Sequence, residues 1–566
     1  MLLEKINDSI KIKKLTSVVY IACIICFFLF FVRRGFISLE TNDDAFLAII
    51  PSGWFGDYYP YTIHNNILIG YIIASITRVL PLHNWTTLFY LGLIITSYNL
   101  IGLVIIKKEG AIIGSSLSAI FCITTWLTLV NRMNYSKTGG VAIIVGCMAL
   151  VYSLDNEWKK KEAFALGICG MGLLFIGALI RYKTCIAVVP YIIVFLCFLF
   201  MRVKKNSLGR IIPFAVVILV ILFSWLFDFW IYHTDDEWRK FKEYNDVREQ
   251  LMDYDVPTYQ ENEDEYKRLG LNENDYKMLI TWQYADEEVF GIDTLKALLQ
   301  YREERYPKEL SISKIKKILE LVIIGASAYQ QIYVVLFVFI VCILTTKENK
   351  AYIWITVLLM LGELCYLRFV VRFLERAVMI PVIVALIMVM FFYKPDYQRI
   401  GLTTGLLVMI VIYSYFACGL DSTNNWQKSQ VSMKDEVNKL YNELSENENN
   451  LYVWHIYTAY GNLDGSHDRF DSYAFGQHRN SVYSGGWPVP SPIMASISEK
   501  FGEKNNVFKL LAYNRNVYYV DYTDNPIDDI GIEMVEKYIQ DHYDKDAKAS
   551  LVKETGSFSI YSFCTQ

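Results

Sequence analysis

Residues 26–62 read "CFFLFFVRRGFISLETNDDAFLAIIPSGWFGDYYPYT". An apolar run stops at Arg33 and Arg34. Two adjacent carboxylates, Asp43 and Asp44, follow a short step later. After them come glycines and aromatics where a connecting loop would carry charge. Lys11, Lys13 and Lys14 precede the run, and its end offers no small-residue cleavage site, so it is expected to stay as a first membrane span.

Runs of this kind recur along the chain. It has 566 residues, 54% hydrophobic and 15% aromatic, with a mean hydropathy of +0.27. A helix needs about 20 apolar residues to cross a bilayer. Runs at 15–33, 86–106, 111–130, 139–154, 163–181, 185–201, 211–231, 320–345, 351–367, 377–393 and 400–418 come close to that length or exceed it. The fold class is therefore an α-helical polytopic membrane protein with about 11 transmembrane helices. Lys107, Lys108, Lys159 to Lys161, Arg202, Lys204, Lys205, Lys347, Lys350, Lys394 and Arg399 fall in alternate gaps. By the positive-inside rule those gaps and the N-terminus are cytoplasmic. The scheme holds only if residues 64–80, "HNNILIGYIIASITRVL", lie along the outer surface as an amphipathic helix.

Four parts result. Residues 1–231 form an N-terminal transmembrane module with a first outer loop at 34–85. Residues 232–318 form an extracytoplasmic helical insertion, with 21 acidic and 11 basic residues between 233 and 310. Residues 319–418 form a second transmembrane module. Residues 419–566 form an extracytoplasmic α/β domain, in which "LYVWHIY", "NVYYVDY" and "FSIYSF" read as strands. No basic domain appears, which argues against nucleic acid as a partner. Most of the eleven cysteines sit in apolar runs and act as small hydrophobes. No zinc-ligand spacing occurs, and His455, His467 and His478 are scattered.

Several residues carry chemistry. Asp43 and Asp44 suit the first turn of a helix capped by Thr41 or Asn42, and equally a general base. Shielding by membrane and aromatics would raise such a carboxyl's pKa. "LRFVVRFLER" spaces Arg368, Arg372 and Arg376 at four-residue intervals, the spacing of one helix face. Arg181 and Lys183 fall at another outer span end. Cations there run against the orientation rule, and a phosphate would explain them. Glu363 is an acid inside a span, which points to function or to an arginine partner. His64 opens the surface helix, and Trp487 in "SGGWPVPSP" could stack on a sugar.

This layout resembles the GT-C class of integral-membrane glycosyltransferases. An acidic motif follows the first span, surface helices precede the second, many spans follow, and a soluble domain lies outside. The wording of "NDD" (42–44), "SG" (52–53), "NILIG" (66–70) and "PLHNW" (81–85) looks most like multi-span proteins of Gram-positive bacteria. The Pro-Pro-Leu wording of many GT-C surface helices is replaced by "HNNILIG". The resemblance implies an inverting, hexosyltransferase-like enzyme with Asp43 or Asp44 as base. It implies a polyprenyl-phosphate-linked sugar as donor and a cell-envelope glycan or lipid-linked acceptor. Donor phosphate would meet Arg181, Lys183, Arg368, Arg372 and Arg376. His64, Glu363 and Trp487 are the other substrate-binding candidates. The second Asp is also a candidate to position a divalent cation, and membrane lipids are partners throughout. A lipid-linked saccharide transporter or flippase, or a non-enzymatic envelope assembly protein, are the other readings.

Overall fold

The computed structural model describes residues 6–40, 42–155, 161–202, 211–254, 256–305, 312–417, 437, 439–456, 470–522 and 531–564. Among these, ten helices are long and apolar enough to cross a membrane. The protein is a multi-pass membrane protein. Its spans are α1 (Ile10–Arg33), α4 (Trp85–Glu109), α5 (Ala111–Trp126, continued by a π-helical turn to Asn131), α6 (Tyr135–Asp155), α7 (Lys161–Ile180), α8 (Tyr182–Arg202), α9 (Ile212–Thr234), α16 (Lys350–Phe369), α17 (Glu375–Phe392) and α18 (Ile400–Ala417). Between α1 and α4 lie the short α2 (Asn42–Ile49) and α3 (Ile67–Val79). α3 has 13 residues, about 20 Å of helix, too short to cross.

One expected span is different. The run at 320–345 is part of a bent pair, α14 (Ile312–Ala326) and α15 (Gln330–Thr345), which meet at 99°. Hydropathy does not separate them, because the apolar run continues through the bend.

α6 is the central helix, buried along almost its whole length. It packs closely on α7 because glycines face each other. A Cβ on Gly146 would meet the Gly170 carbonyl oxygen at 2.5 Å, and one on Gly139 would approach that of Gly177 at 3.1 Å. Small residues of this kind let membrane helices approach.

The insertion holds α10 (Asp236–Met252), α11 (Glu263–Arg268), α12 (Glu273–Ile280) and α13 (Ile292–Arg305). The C-terminal domain holds β1 (Leu451–Trp454), β2 (Ser481–Tyr483), α19 (Pro492–Glu499), α20 (Val507–Tyr513), β3 (Val517–Tyr522), α21 (Ile532–His542), β4 (Ser550–Thr555) and β5 (Phe558–Ser562). Its sheet runs β2-β1-β3-β5-β4. β1 is parallel to β2 and β3, and β5 is antiparallel to β3 and β4. Three strands match the expected runs. β2 is buried but only three residues long, and β4 is an exposed edge, so neither stands out in the sequence as an apolar or alternating run.

The insertion is stitched to this domain. Ala285 N donates to Ser484 O at 2.9 Å, and Val507 N to Ala285 O at 3.0 Å. The buried Asp286 carboxylate accepts from Tyr538, Tyr543 and Asn506. Gly485 lies against the Trp282 carbonyl so closely that a Cβ there would come within 1.8 Å of the oxygen. That atom is backbone and cannot rotate away. Gly485→Ala is expected to cost about 1–3 kcal/mol through overpacking. Limited proteolysis should then cut the 256–262 loop faster, at a lowered Tm.

The aromatics between α1 and α4 fasten the same domain to the bundle. Trp54, fully buried, stacks on His478 at 4.2 Å, and its backbone oxygen accepts from His478 N at 2.9 Å. Phe46 meets Tyr483 and Trp487 edge-on at 5.1 and 5.7 Å. Tyr61 stacks on Trp238 of the insertion at 4.0 Å. The loop is a plug, which is why it carries aromatics in place of charge.

Candidate active site

The start of α2 is positioned by main-chain pairing. Glu40 N donates to Met133 O at 2.8 Å, and Met133 N to Ser38 O at 2.7 Å. Asn131 Nδ2 donates to Phe36 O at 2.7 Å. Beneath this, buried Lys137 pairs with Glu40 at 2.9 Å. The loop is thus clamped to the junction of α5 and α6, and α2 begins with Asp43 and Asp44 in its first turn.

The two carboxylates diverge there. Asp44 is fully buried. It accepts from Asn134 Nδ2 at 2.9 Å and from Tyr135 N at 2.7 Å, so it holds the start of α6. Asp43 points the other way, into a cavity of about 340 Å³. Arg376 Nη1 donates to it at 3.1 Å. His64, Tyr135, Arg181, Arg248, Glu249, Asp253, Trp282, Arg372 and Trp487 share the cavity.

Each wall has its own reason. Arg181, at the α7–α8 junction, donates to the Tyr135 and Ser136 hydroxyls and lies 4.6 Å over the Tyr135 ring. Arg372 pairs with Asp253 at 2.7 Å. His64 lies between Tyr135, at 5.6 Å, and Trp487, at 5.0 Å. Trp487 is 3% exposed, and its indole Nε1 has no hydrogen-bond partner among the described residues. It is a buried donor in the cavity wall, the kind of group a ligand satisfies.

Electrostatics differ from the expectation. Burial does push the Asp43 carboxyl up, but Arg376, with help from His64, Arg181 and Arg248, brings it below the ordinary range. Asp43 is an ionised carboxylate at neutral pH. Burial lowers His64 to about 4, so its imidazole is neutral there. Glu249 is raised by burial but brought down to about 2, chiefly by Lys183 at 2.6 Å.

The expected arginine stripe is a correction. α16 ends at Phe369, and Val370 to Leu374 form a turn in which Arg372 N donates to Leu367 O at 2.8 Å. Arg376 then starts α17. Three arginines four residues apart thus stand on a helix end, a turn and a helix start. Arg372 and Arg376 reach the cavity, while Arg368 faces a different one. Val371 in that turn has φ 59°, and Trp282 across the cavity has φ 63°. Side chains avoid this region at a cost of about 1–3 kcal/mol, and such strain gathers at functional sites.

A second cavity of about 420 Å³ shares Arg181, Glu249, Arg372, Leu374 and Arg376 with the first. It runs between α8, α16 and α17 over Ile186, Ala187, Leu367, Ile380, Pro190 and Pro381. Pro190 and Pro381 sit inside their helices. Lys183 and Glu363 line this groove, and Tyr191 donates to Glu363 at 3.4 Å. Of the predicted residues, Asp43, His64, Arg181, Arg372, Arg376 and Trp487 come together in the first cavity. Lys183 and Glu363 stand in its neighbour, and Asp44 and Arg368 lie elsewhere. His455 and His478 are buried in the C-terminal domain, and His467 lies outside the described residues. Arg248, Glu249, Asp253 and Trp282 were missed, since nothing local distinguishes them within a highly charged insertion. Among the described residues, no group of three or more His, Cys, Asp and Glu is arranged to hold a metal ion.

No protein-family model and no curated protein matches the chain. Solved structures that align with it include ArnT from Cupriavidus metallidurans bound to undecaprenyl phosphate, at 11% identity and a TM-score of 0.42. The apo state of that protein aligns at 10% identity and 0.43. Both alignments cover 97% of this chain and 98% of the other. The likeness is loose.

Proposed function

We propose that this protein is a GT-C-type glycosyltransferase that moves a sugar from a polyprenyl-phosphate donor to a cell-envelope glycan or lipid-linked acceptor on the outer face of the membrane. One observation carries the reading. An ionised carboxylate, Asp43, shares a cavity with Arg181, Arg372 and Arg376, and those arginines also border an apolar groove between spans.

The groove suits a lipid tail, and the arginines at its mouth suit the phosphate. The sugar then lies in the cavity against Trp487 and His64. Asp43 accepts the proton of an acceptor hydroxyl as that oxygen attacks the anomeric carbon. The bond from that carbon to the phosphate oxygen breaks, and the arginines take up the charge on the leaving lipid phosphate. A single displacement inverts the anomeric configuration. Lys183 and Glu363 line the donor's path, and Tyr191 behind the wall holds Glu363 by a hydrogen bond. By the Lys/Arg bias, the N-terminus is cytoplasmic and the C-terminal domain extracytoplasmic.

The test is chemical analysis of surface glycans and glycolipids in a strain lacking this chain. One sugar substituent should vanish and return with the wild-type gene. Unchanged composition and linkages would reject the reading.

A further inference from the structure

Behind Trp282 lies a third and larger cavity, of about 970 Å³. It sits between α14, the α16–α17 turn and the insertion, and shares Met252 and Trp282 with the Asp43 cavity. Four cations line it: Arg302, Lys314, Lys317 and Arg368. Among the described residues, Glu261 is the one carboxylate in the lining. Arg302 donates to the Gln250 and Leu251 carbonyls, and Lys314 lies 5.1 Å over the Phe369 ring. Lys317 and Arg368 have no carboxylate partner among the described residues, and the Arg368 Nε is buried without a hydrogen bond there. Buried guanidinium nitrogens without acceptors are costly.

The surroundings are those of a membrane interface. α14 is turned 99° from α15, which follows it. Its apolar side carries Ile318 and Val322, buried, and Ile315, Leu319 and Ile323, exposed, while Lys316, Lys317 and Glu320 lie exposed on the other side, an amphipathic pattern. Both strained residues, Trp282 and Val371, form part of this lining as well.

We propose that this cavity is a second lipid-phosphate site, holding the acceptor of the reaction by the phosphate of its own lipid carrier. Lys317 and Arg368 hold the phosphate, the apolar face of α14 guides the tail, and the glycan passes Trp282 toward Asp43. The binding site stands on its own geometry. Its role as acceptor site rests on the transferase reading.

Native mass spectrometry of the full chain in micelles, with undecaprenyl phosphate as probe, tests it. The wild type should hold two lipids. Lys317→Gln and Arg368→Gln together should leave one, and Arg181→Gln with Arg376→Gln should remove the other. Lys317 is exposed, so Lys317→Gln alone should fold. It should weaken the second lipid about tenfold, and Lys317→Arg should restore it. Two lipids retained by the Lys317/Arg368 variant would overturn the inference and leave the donor site standing. Two lipids retained by the Arg181/Arg376 variant would instead count against the transferase reading. Displacement of the second lipid by equimolar inorganic phosphate would show a free-phosphate site and overturn the lipid assignment. In vesicles from a strain lacking this chain, Lys317→Gln should slow sugar transfer with the donor KM unmoved. A raised donor KM would overturn the acceptor role.

Discussion

Asp43→Asn should reduce sugar transfer about a thousandfold, the scale of a lost general base, with the protein still folded and inserted. The amide keeps the shape and can still meet Arg376, but it cannot take a proton. Asp44→Asn should do the reverse. Asp44 faces two donors, Asn134 Nδ2 and Tyr135 N, and an amide there loses a charged acceptor in a fully buried place. The expected cost is about 2–3 kcal/mol of stability, with turnover per folded molecule changed far less. Purified yields, thermal unfolding and single-turnover transfer separate the two. Equal catalytic losses in both variants, or full activity in Asp43→Asn, would remove Asp43 as the base.

Arg376→Gln should give the second largest loss, about a hundredfold or more, because this guanidinium stands between the carboxylate and the groove proposed for the donor. Its pH profile carries the finer result. In the wild type, Asp43 is held below the ordinary carboxylate range, so activity should persist into acid before the base protonates. Burial alone would raise this carboxyl, and Arg376 is the largest influence opposing it. Removing Arg376 should therefore move the acid limb of kcat/KM to higher pH. The sign also holds for stability. A carboxyl with a depressed pKa stabilises the fold above its unfolded pKa and loses that contribution as pH falls through the folded one. The variant should lose that stabilisation at a less acid pH. An acid limb that stays in place, or moves lower, would mean that another group titrates.

On the proposed mechanism, the contact also links donor binding to the base. A donor phosphate competes with Asp43 for Arg376. Once the guanidinium turns to the phosphate, Asp43 loses its strongest counter-charge and becomes a better proton acceptor. A carboxyl held low by Arg376 is thus compatible with a base that gains strength as the proposed donor binds.

The membrane class, most spans and the acidic motif were legible because each is written locally. Apolar runs report bilayer length, and adjacent carboxylates after a span are visible in one line. The short α3 and three of the five strands were legible for the same reason. The bend between α14 and α15 was not, because hydropathy is blind to direction. The arginine stripe failed where Val371 adopts a left-handed conformation and ends the helix, since i, i+4 spacing holds only while a helix continues.

Asp43 and Asp44 show the division most clearly. Both are in the first turn of α2, where a helix N-terminus favours carboxylates; Thr41 and the Asn42 side chain, the caps expected from the sequence, lie outside the described residues. Side chains one position apart on a helix point about 100° from each other. That rotation sends Asp44 to the start of α6 and Asp43 into the cavity. The amino-acid order alone settled that this chain lives in a membrane and carries a paired acid outside its first span. Which acid meets the arginines, and that Arg248, Glu249 and Asp253 of the insertion wall the same cavity, was decided only by packing. Those contacts join residues up to 333 positions apart, and no local pattern encodes so distant a neighbour.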